Sequence, residues 1–290
     1  MFRKTFPVVL CLMCGATGSR AQSAAAKNTA IAPLSAQLVK TGLYVISGGG
    51  SNSLLRLSAN GLILVDSKLP GNYEAILAQA KILSFSDQPI RIVISTDHHI
   101  EHTGNNTKFL EAGAQIVVHE NAKHNLSTYN QPGGTIAPPT RTYDHDLTIQ
   151  LGGIEACLIH FGSARTSGDT VVYFPNLKAV AVGNLFTSDT PDPDYPAGGS
   201  LVGWGPVLDQ ILKLDFDVAV PSSGPMIGRA DLEALRAKLS TLISRATGLV
   251  SKGVGKKQLM ARLNTDDLGW RLNFTGARLD SFYAELSRAR

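Results

Sequence analysis

Ile90-Arg91-Ile92-Val93-Ile94-Ser95-Thr96-Asp97-His98-His99-Ile100-Glu101-His102-Thr103-Gly104-Asn105-Asn106 is the stretch on which the reading of this 290-residue chain turns. Ile90–Ile94 is an almost continuous apolar run of strand-forming residues, suited to burial on both faces of a sheet. Three of the seven histidines and two carboxylates then fall within six residues. A helix is expected to follow over Asn106–Ala112. Imidazoles and carboxylates gathered at the end of a buried strand are the donors from which metal sites are built. The spacing alone leaves a second reading open, a solvated loop whose histidines have no shared task.

Upstream, Leu43–Ser47, Ser53–Leu57 and Leu62–Val65 are β-rich runs, and Asn60-Gly61 marks a hairpin between the last two. Pro70-Gly71 breaks the chain. Tyr73–Leu83 then carries Ile76, Leu77, Ala80 and Leu83 at helical spacing. Downstream, a strand is expected at Gln115–Val118, and Pro132 to Pro139 forms a Gly/Pro loop. Strands are read at Leu147–Leu151, Ile154–Ile159, Thr170–Phe174, Ala179–Val182 and Val218–Val220, and helices at Gly199–Leu214 and Asp231–Val250. Two further helices are expected near Lys256–Leu263 and Leu279–Ser287. Two β-rich halves that each carry helices imply two sheets packed face to face with helices outside, a four-layer α/β/β/α sandwich.

The N-terminus has a different character. Arg3 and Lys4 precede the short apolar run Phe6–Met13, and Ser19-Arg20-Ala21 offers small residues before Gln22. This is the pattern of a secretory signal over residues 1–21, and it implies an exported, periplasmic or secreted protein. The apolar run is too short for a bilayer span, so no stable membrane span is expected after cleavage. Residues 22–37 read as a flexible leader, 38–250 as the main domain and 251–290 as a helical extension packed on it. The formal charge of +4 rests on Arg3, Lys4 and Arg20. Without residues 1–21, 24 basic residues face 23 acidic ones. Nothing in that balance favours a nucleic-acid partner. Cys11 and Cys14 leave with the signal, and Cys157 remains as a lone strand residue with a packing role.

The histidine segment resembles the His-x-His-x-Asp-His signature of the metallo-β-lactamase fold superfamily, framed by Thr96 and Gly104. The resemblance extends in order along the chain. Gly61–Asp66 looks like the family's early strand ending in Asp, and Gly162–Pro175 like its glycine-Ala-His-Thr-x-Gly-Asp segment. Val182-Gly183-Asn184-Leu185-Phe186 looks like its Gly-Asp-Leu-Phe. Gly198-Gly199-Ser200 with Trp204, followed by Val220–Pro225, looks like the segment ending Pro-Gly-His-Gly-Pro. The likeness spans about residues 40 to 245 and implies the same four-layer fold.

The ligand positions implied by that resemblance are mostly altered. Asp97 stands for the first histidine and Glu101 for the aspartate, while His99 and His102 keep their type. Arg165 replaces a histidine, Asn184 the bridging aspartate and Ser223 the last histidine. Asp97, His99, Glu101 and His102 thus remain as a candidate set for one zinc or other divalent metal, or for none. Arg165 cannot ligate, because it stays protonated. Asn184 is a neutral amide, and Ser223 a weak ligand. The guanidinium of Arg165 is expected to offset Asp97 and Glu101 as a metal would, within hydrogen-bonding reach of one of them. Asp66 is placed to orient the histidine segment from behind. Trp204, Tyr195 and Phe186 are read either as the pocket mouth or as core.

Two classes of function follow. One is a catalytically silent or altered member that binds a small molecule or a partner. The other is a hydrolase of small amides, esters or thioesters that uses one noncanonical metal. Metal-free catalysis with His99 or His102 as base, and Arg165 holding an anionic substrate, is a third reading. Substitution of three of the seven positions by Arg165, Asn184 and Ser223 ranks the silent or altered reading first.

Overall fold

A computed structural model describes residues 33–128 and 136–288, together with Met1. Apart from Met1, the expected signal at 1–21, the leader as far as residue 32, and residues 132–135 of the Gly/Pro loop lie outside the described residues. Seven strands form the first sheet in chain order: β1 (Ser35–Lys40), β2 (Leu43–Ser47), β3 (Ser53–Ser58), β4 (Gly61–Val65), β5 (Ile90–Ile94), β6 (Gln115–His119) and β7 (Arg141–Tyr143). The ordered sheet therefore begins at Ser35, and its edge strand takes in residues 35–37, which sequence assigned to the leader. Five strands form the second sheet, in the order β12 (Val218–Pro221), β11 (Ala179–Gly183), β10 (Val171–Phe174), β9 (Ile154–Ile159) and β8 (Asp146–Leu151).

Strand alternation builds the layers, because successive side chains point to opposite faces. Ile63, Val65, Ile92, Ile94 and Val117 face the second sheet and pack with Ala156, Leu158, Val172, Phe174 and Ala181. Leu62, Leu64, Val93, Ile116 and Val118 face the other way, onto Ile76 of α1 (Tyr73–Ser84) and Phe109 of α3 (Asn106–Glu111), with α2 (Ile100–Thr103) lying between them in sequence. α4 (Glu120–Thr128) contributes Ala122 to the same cluster. Behind the second sheet, Val171, Val180, Val182 and Ala219 meet α5 (Leu201–Ile211) and α6 (Arg229–Ser251). The result is α/β/β/α. The C-terminal segment is part of this core, since Leu259 of α7 (Lys256–Arg262), Trp270, Phe274 and Phe282 of α8 (Gly276–Arg288) are buried in the same cluster.

β4, β5, β6 and β7 run parallel, and β11 runs parallel to β12. Their carboxyl ends open on the same edge, where Asn184 after β11 bonds Asp97 after β5. Asp66, Asp97, Asn184 and Ser222 all follow these strands directly or within three residues. Open α/β sheets bind ligands at this edge, where helices and loops diverge and leave a crevice. No helix among the described residues is long and apolar enough to cross a membrane.

Candidate functional site

The site is built backwards from Asp66. It follows β4 with φ 63°, a left-handed conformation that non-glycine residues seldom adopt. Bonding on its carboxylate holds it there. Thr96 donates its backbone N–H to Oδ1 at 2.7 Å and its hydroxyl to Oδ2 at 2.8 Å, and His102 Nδ1 lies 2.9 Å from Oδ2. Asp66 thus joins the ends of β4 and β5 and orients the ring of His102. Gly183 completes the junction. Its φ is 52°, and a Cβ there would come within 2.8 Å of Thr96 Oγ1.

Asp97, buried, bonds to His99 two residues on and to a distant element. Its Oδ1 accepts the backbone N–H of His99 at 2.8 Å and lies 3.1 Å from His99 Nδ1. Its Oδ2 accepts the side-chain amide of Asn184 at 2.8 Å. Burial pushes the Asp97 carboxyl up, but the surrounding imidazoles of His102 and His99 outweigh it and hold the group well below the usual carboxylate range. His99 is itself bracketed, with Nε2 3.1 Å from Asp194 Oδ2. Burial opposes its charge, yet Asp97 and Asp194 raise its pKa to about 10. His98 packs against it with ring centroids 4.3 Å apart and planes tilted by 31°, and burial and the His99 charge push His98 down to about 4.

The same amide nitrogen of Asn184 also lies 2.8 Å from His102 Nε2. Burial lowers the pKa of His102, while Asp97 and Asp66 pull it upward more strongly. The amide contact acts against that pull. A nitrogen that must donate to Asp97 presents hydrogens to Nε2 too, and so favours a lone pair there and the proton on Nδ1, facing Asp66. Ser222 donates its hydroxyl to Asn184 Oδ1 and locks the amide in this orientation. Ser223, the residue at the lost ligand position, lines the adjoining pocket with Arg165, Asn184, Phe186, Asp192 and Trp204.

Arg165 is not where charge balance was expected to put it. It bonds neither Asp97 nor Glu101. Its Nη1 donates to the backbone carbonyl of Asp192 and stands 3.5 Å from the Asp192 carboxylate. Asp97 has no need of it, because His99 supplies the cation and Asn184 a donor. Glu101 lies in the first turn of α2, and its carboxylate is 4.0 Å from His102 Nε2 and partly in solvent. Its backbone carbonyl accepts Ser51 Oγ at 2.5 Å, which ties the Gly48–Asn52 loop to the site.

The candidate metal set changes accordingly. The ligand atoms of Asp97, His98 and His99 lie within 4.8 Å of one another, which makes these three a group able to hold a metal ion. His98 enters this group, whereas Glu101 and His102 stand outside it. The bonding pattern does not fit the family's two-zinc centre. A ligand must offer a lone pair, but both ring nitrogens of His99 face carboxylates, and the bridging position holds the neutral Asn184, whose amide donates to Asp97 Oδ2.

Sequence reading missed Asp192, Asp194 and Ser222. Thr190-Pro191-Asp192-Pro193-Asp194-Tyr195-Pro196 carried a signal, since prolines on both sides of each acid stiffen the segment that presents them. Of the aromatics, Trp204 is buried and donates Nε1–H to Leu185 at 2.8 Å. Tyr195 packs on Phe274 and bonds Glu285, while Phe186 lines the pocket.

Comparison with known proteins agrees with the architecture. Residues 46–223 match the sequence pattern described as the Metallo-beta-lactamase superfamily, and the chain belongs to that superfamily. The chain is 28% identical over 200 residues to the 2,4-dinitroanisole O-demethylase subunit alpha of Nocardioides sp. (strain JS1661), a match that covers 68% of this chain and 59% of that protein. The chain therefore spans well under two thirds of this curated relative's length. Among solved structures it is similar to a metallo-beta-lactamase from Pontibacter korlensis, with a TM-score of 0.63, 20% identity, and coverage of 71% of this chain and 99% of that one. It is also similar to the mono-zinc form of the metallo-beta-lactamase FIM-1 from Pseudomonas aeruginosa, with a TM-score of 0.61, 19% identity, and coverage of 72% and 95%. At these identities the likeness is one of fold.

Proposed function

We propose that this protein is a superfamily member in which a hydrogen-bonded polar cluster has taken the place of the two-zinc centre, and that it is an exported, catalytically silent or altered protein that binds a small molecule. One observation carries the reading. The amide of Asn184 stands 2.8 Å from both Asp97 Oδ2 and His102 Nε2, and so fills with a neutral donor the gap a bridging carboxylate and its cations need. The fold persists without metal because its core is the two sheets and their helices, and fold does not establish chemistry.

A second reading, favoured by the convergence of Asp97, His98 and His99, is hydrolysis of a small amide, ester or thioester with one metal bound there. Elemental analysis of the purified full-length chain separates the two, run beside a general esterase assay, a β-lactam assay and an aryl methyl ether suggested by the demethylase relative. Zinc well below one per chain and no chelator-sensitive turnover is the expected result. Two tightly held zinc ions would overturn the proposal. One held ion with chelator-sensitive hydrolysis would establish the second reading.

A further inference from the structure

We propose that Arg165 and Arg278 form a subsite at the pocket mouth for the carboxylate of a small organic acid. Arg165 reaches Asp192 from the segment between β9 and β10. Arg278 reaches it out of α8, donating Nη2 to Asp192 Oδ1. The Arg278 guanidinium lies over the Phe274 ring at 4.7 Å, and Phe274 is fixed in turn against Phe282 and Tyr195. Arg278 lies beyond residue 223, where the superfamily match ends, so the family pattern assigns it no role. The C-terminal segment thus contributes a charged group to Asp192, which lines a pocket formed by α5 and by loops of the second sheet.

Charge and geometry select the ligand. Two guanidinium groups share one carboxylate, which leaves a single positive charge in excess. The other acids close by are already engaged, since Asp194 faces His99 and Asp97 faces His99 and Asn184. Each guanidinium has five N–H donors in a planar fork. Among the described residues, Arg165 uses Nη1 alone and Arg278 uses Nη2 alone. Unspent forked donors with one excess positive charge suit a planar, singly charged acceptor better than a compact dianion. The pocket holds about 150 Å³, with Phe186 and Trp204 in its wall, which suits the body of a small acid.

This inference rests on the pocket being a ligand site, but it is tested independently of metal. Benzoate is titrated into the chelator-treated full-length chain at low ionic strength by calorimetry, with benzamide as the neutral isostere. Benzoate should bind and benzamide should not. Arg165→Gln and Arg278→Gln should each weaken benzoate about tenfold or more, as expected for loss of a charge-assisted contact. Asp192→Asn is the decisive variant. It removes the competing carboxylate and should tighten benzoate, with thermal melts confirming that every variant is folded. Equal binding of benzoate and benzamide, or loss of benzoate binding in Asp192→Asn as in the arginine variants, would overturn the proposal, because the three side chains would then be a structural ion-pair cluster. Zinc found by elemental analysis would count against the metal-free function without touching this result.

Discussion

Asn184 donates its side-chain amide to Asp97 Oδ2 at 2.8 Å, joining the end of β11 in one sheet to the end of β5 in the other. The bond decides the character of the pocket, since a donor at this place satisfies a carboxylate that would otherwise seek a cation. Its removal strands a buried acceptor, and its replacement by an acid creates repulsion.

Asn184→Asp should therefore lower stability by about 1–3 kcal/mol in the presence of a chelator, the scale of a buried group losing its partner. Combined with Arg165→His and Ser223→His, the same change should raise zinc affinity and return the lost stability when zinc is added. Thermal melts with EDTA and with zinc measure both effects. A triple variant whose melting ignores zinc would show that the backbone does not hold ligand geometry.

Asp66→Ala should cost about 3–5 kcal/mol, the range for breaking a buried charged contact. Three bonds end on that carboxylate, from Thr96 N–H, Thr96 Oγ1 and His102, and its left-handed backbone depends on them. Urea denaturation provides the value. A loss within the range of ordinary surface substitutions would mean that Asp66 does not organise the junction.

His99 makes a pH prediction with a definite sign. Burial opposes its charge, but Asp97 and Asp194 raise its pKa to about 10, above the usual 6.5. Its stabilising contribution is complete below pH 6.5 and is lost as the pH rises through about 10. The slope from one such group approaches 1.4 kcal/mol per pH unit. Lys68, lowered to about 8 by burial against the pull of Asp66, acts with opposite sign above that pH. The comparison therefore belongs between pH 6.5 and 8. His102, raised to about 9, adds a slope of the same sign, so His99→Gln should reduce the dependence of the urea midpoint on pH in that window without abolishing it, and an unchanged slope would show His99 to be neutral.

Export is tested on the covalent chain. Cleavage after Ala21 is expected from the charged start, the short apolar run and the Ser19-Arg20-Ala21 site. Intact-mass measurement of protein recovered from an exporting host should give a chain beginning at Gln22. A mass that retains Met1 would remove the basis for an exported protein.

The four layers were legible because local pattern and global fold agree. Apolar runs such as Ile90–Ile94 and Ile154–Ile159 form strands where expected, and Tyr73–Leu83 forms a helix on its Ile76–Ala80 stripe. Burial acts on every residue of a strand or helix, so it leaves a periodic trace in the sequence. β1 and β7 left a weaker one. β1 is largely exposed, and β7 is three residues long. The segment that gathers His98, His99 and His102 was equally visible, as was the loss of ligand types at Arg165, Asn184 and Ser223.

Which of these groups meet was decided by tertiary structure. Charge counting along the sequence paired Arg165 with Asp97 or Glu101, because acids brought together need a cation. The folded chain met that need with His99, two residues from Asp97, and left Arg165 to turn toward Asp192 and meet Arg278 from the C-terminal helix. Asp194 reaches His99 across 95 positions, and Asn184 reaches Asp97 across 87. A single directional bond between such distant residues imposes no repeat on either segment. It depends on distances of a few ångströms that the packing of two sheets and their helices sets, and so the chemistry of the pocket appears only once the layers are assembled.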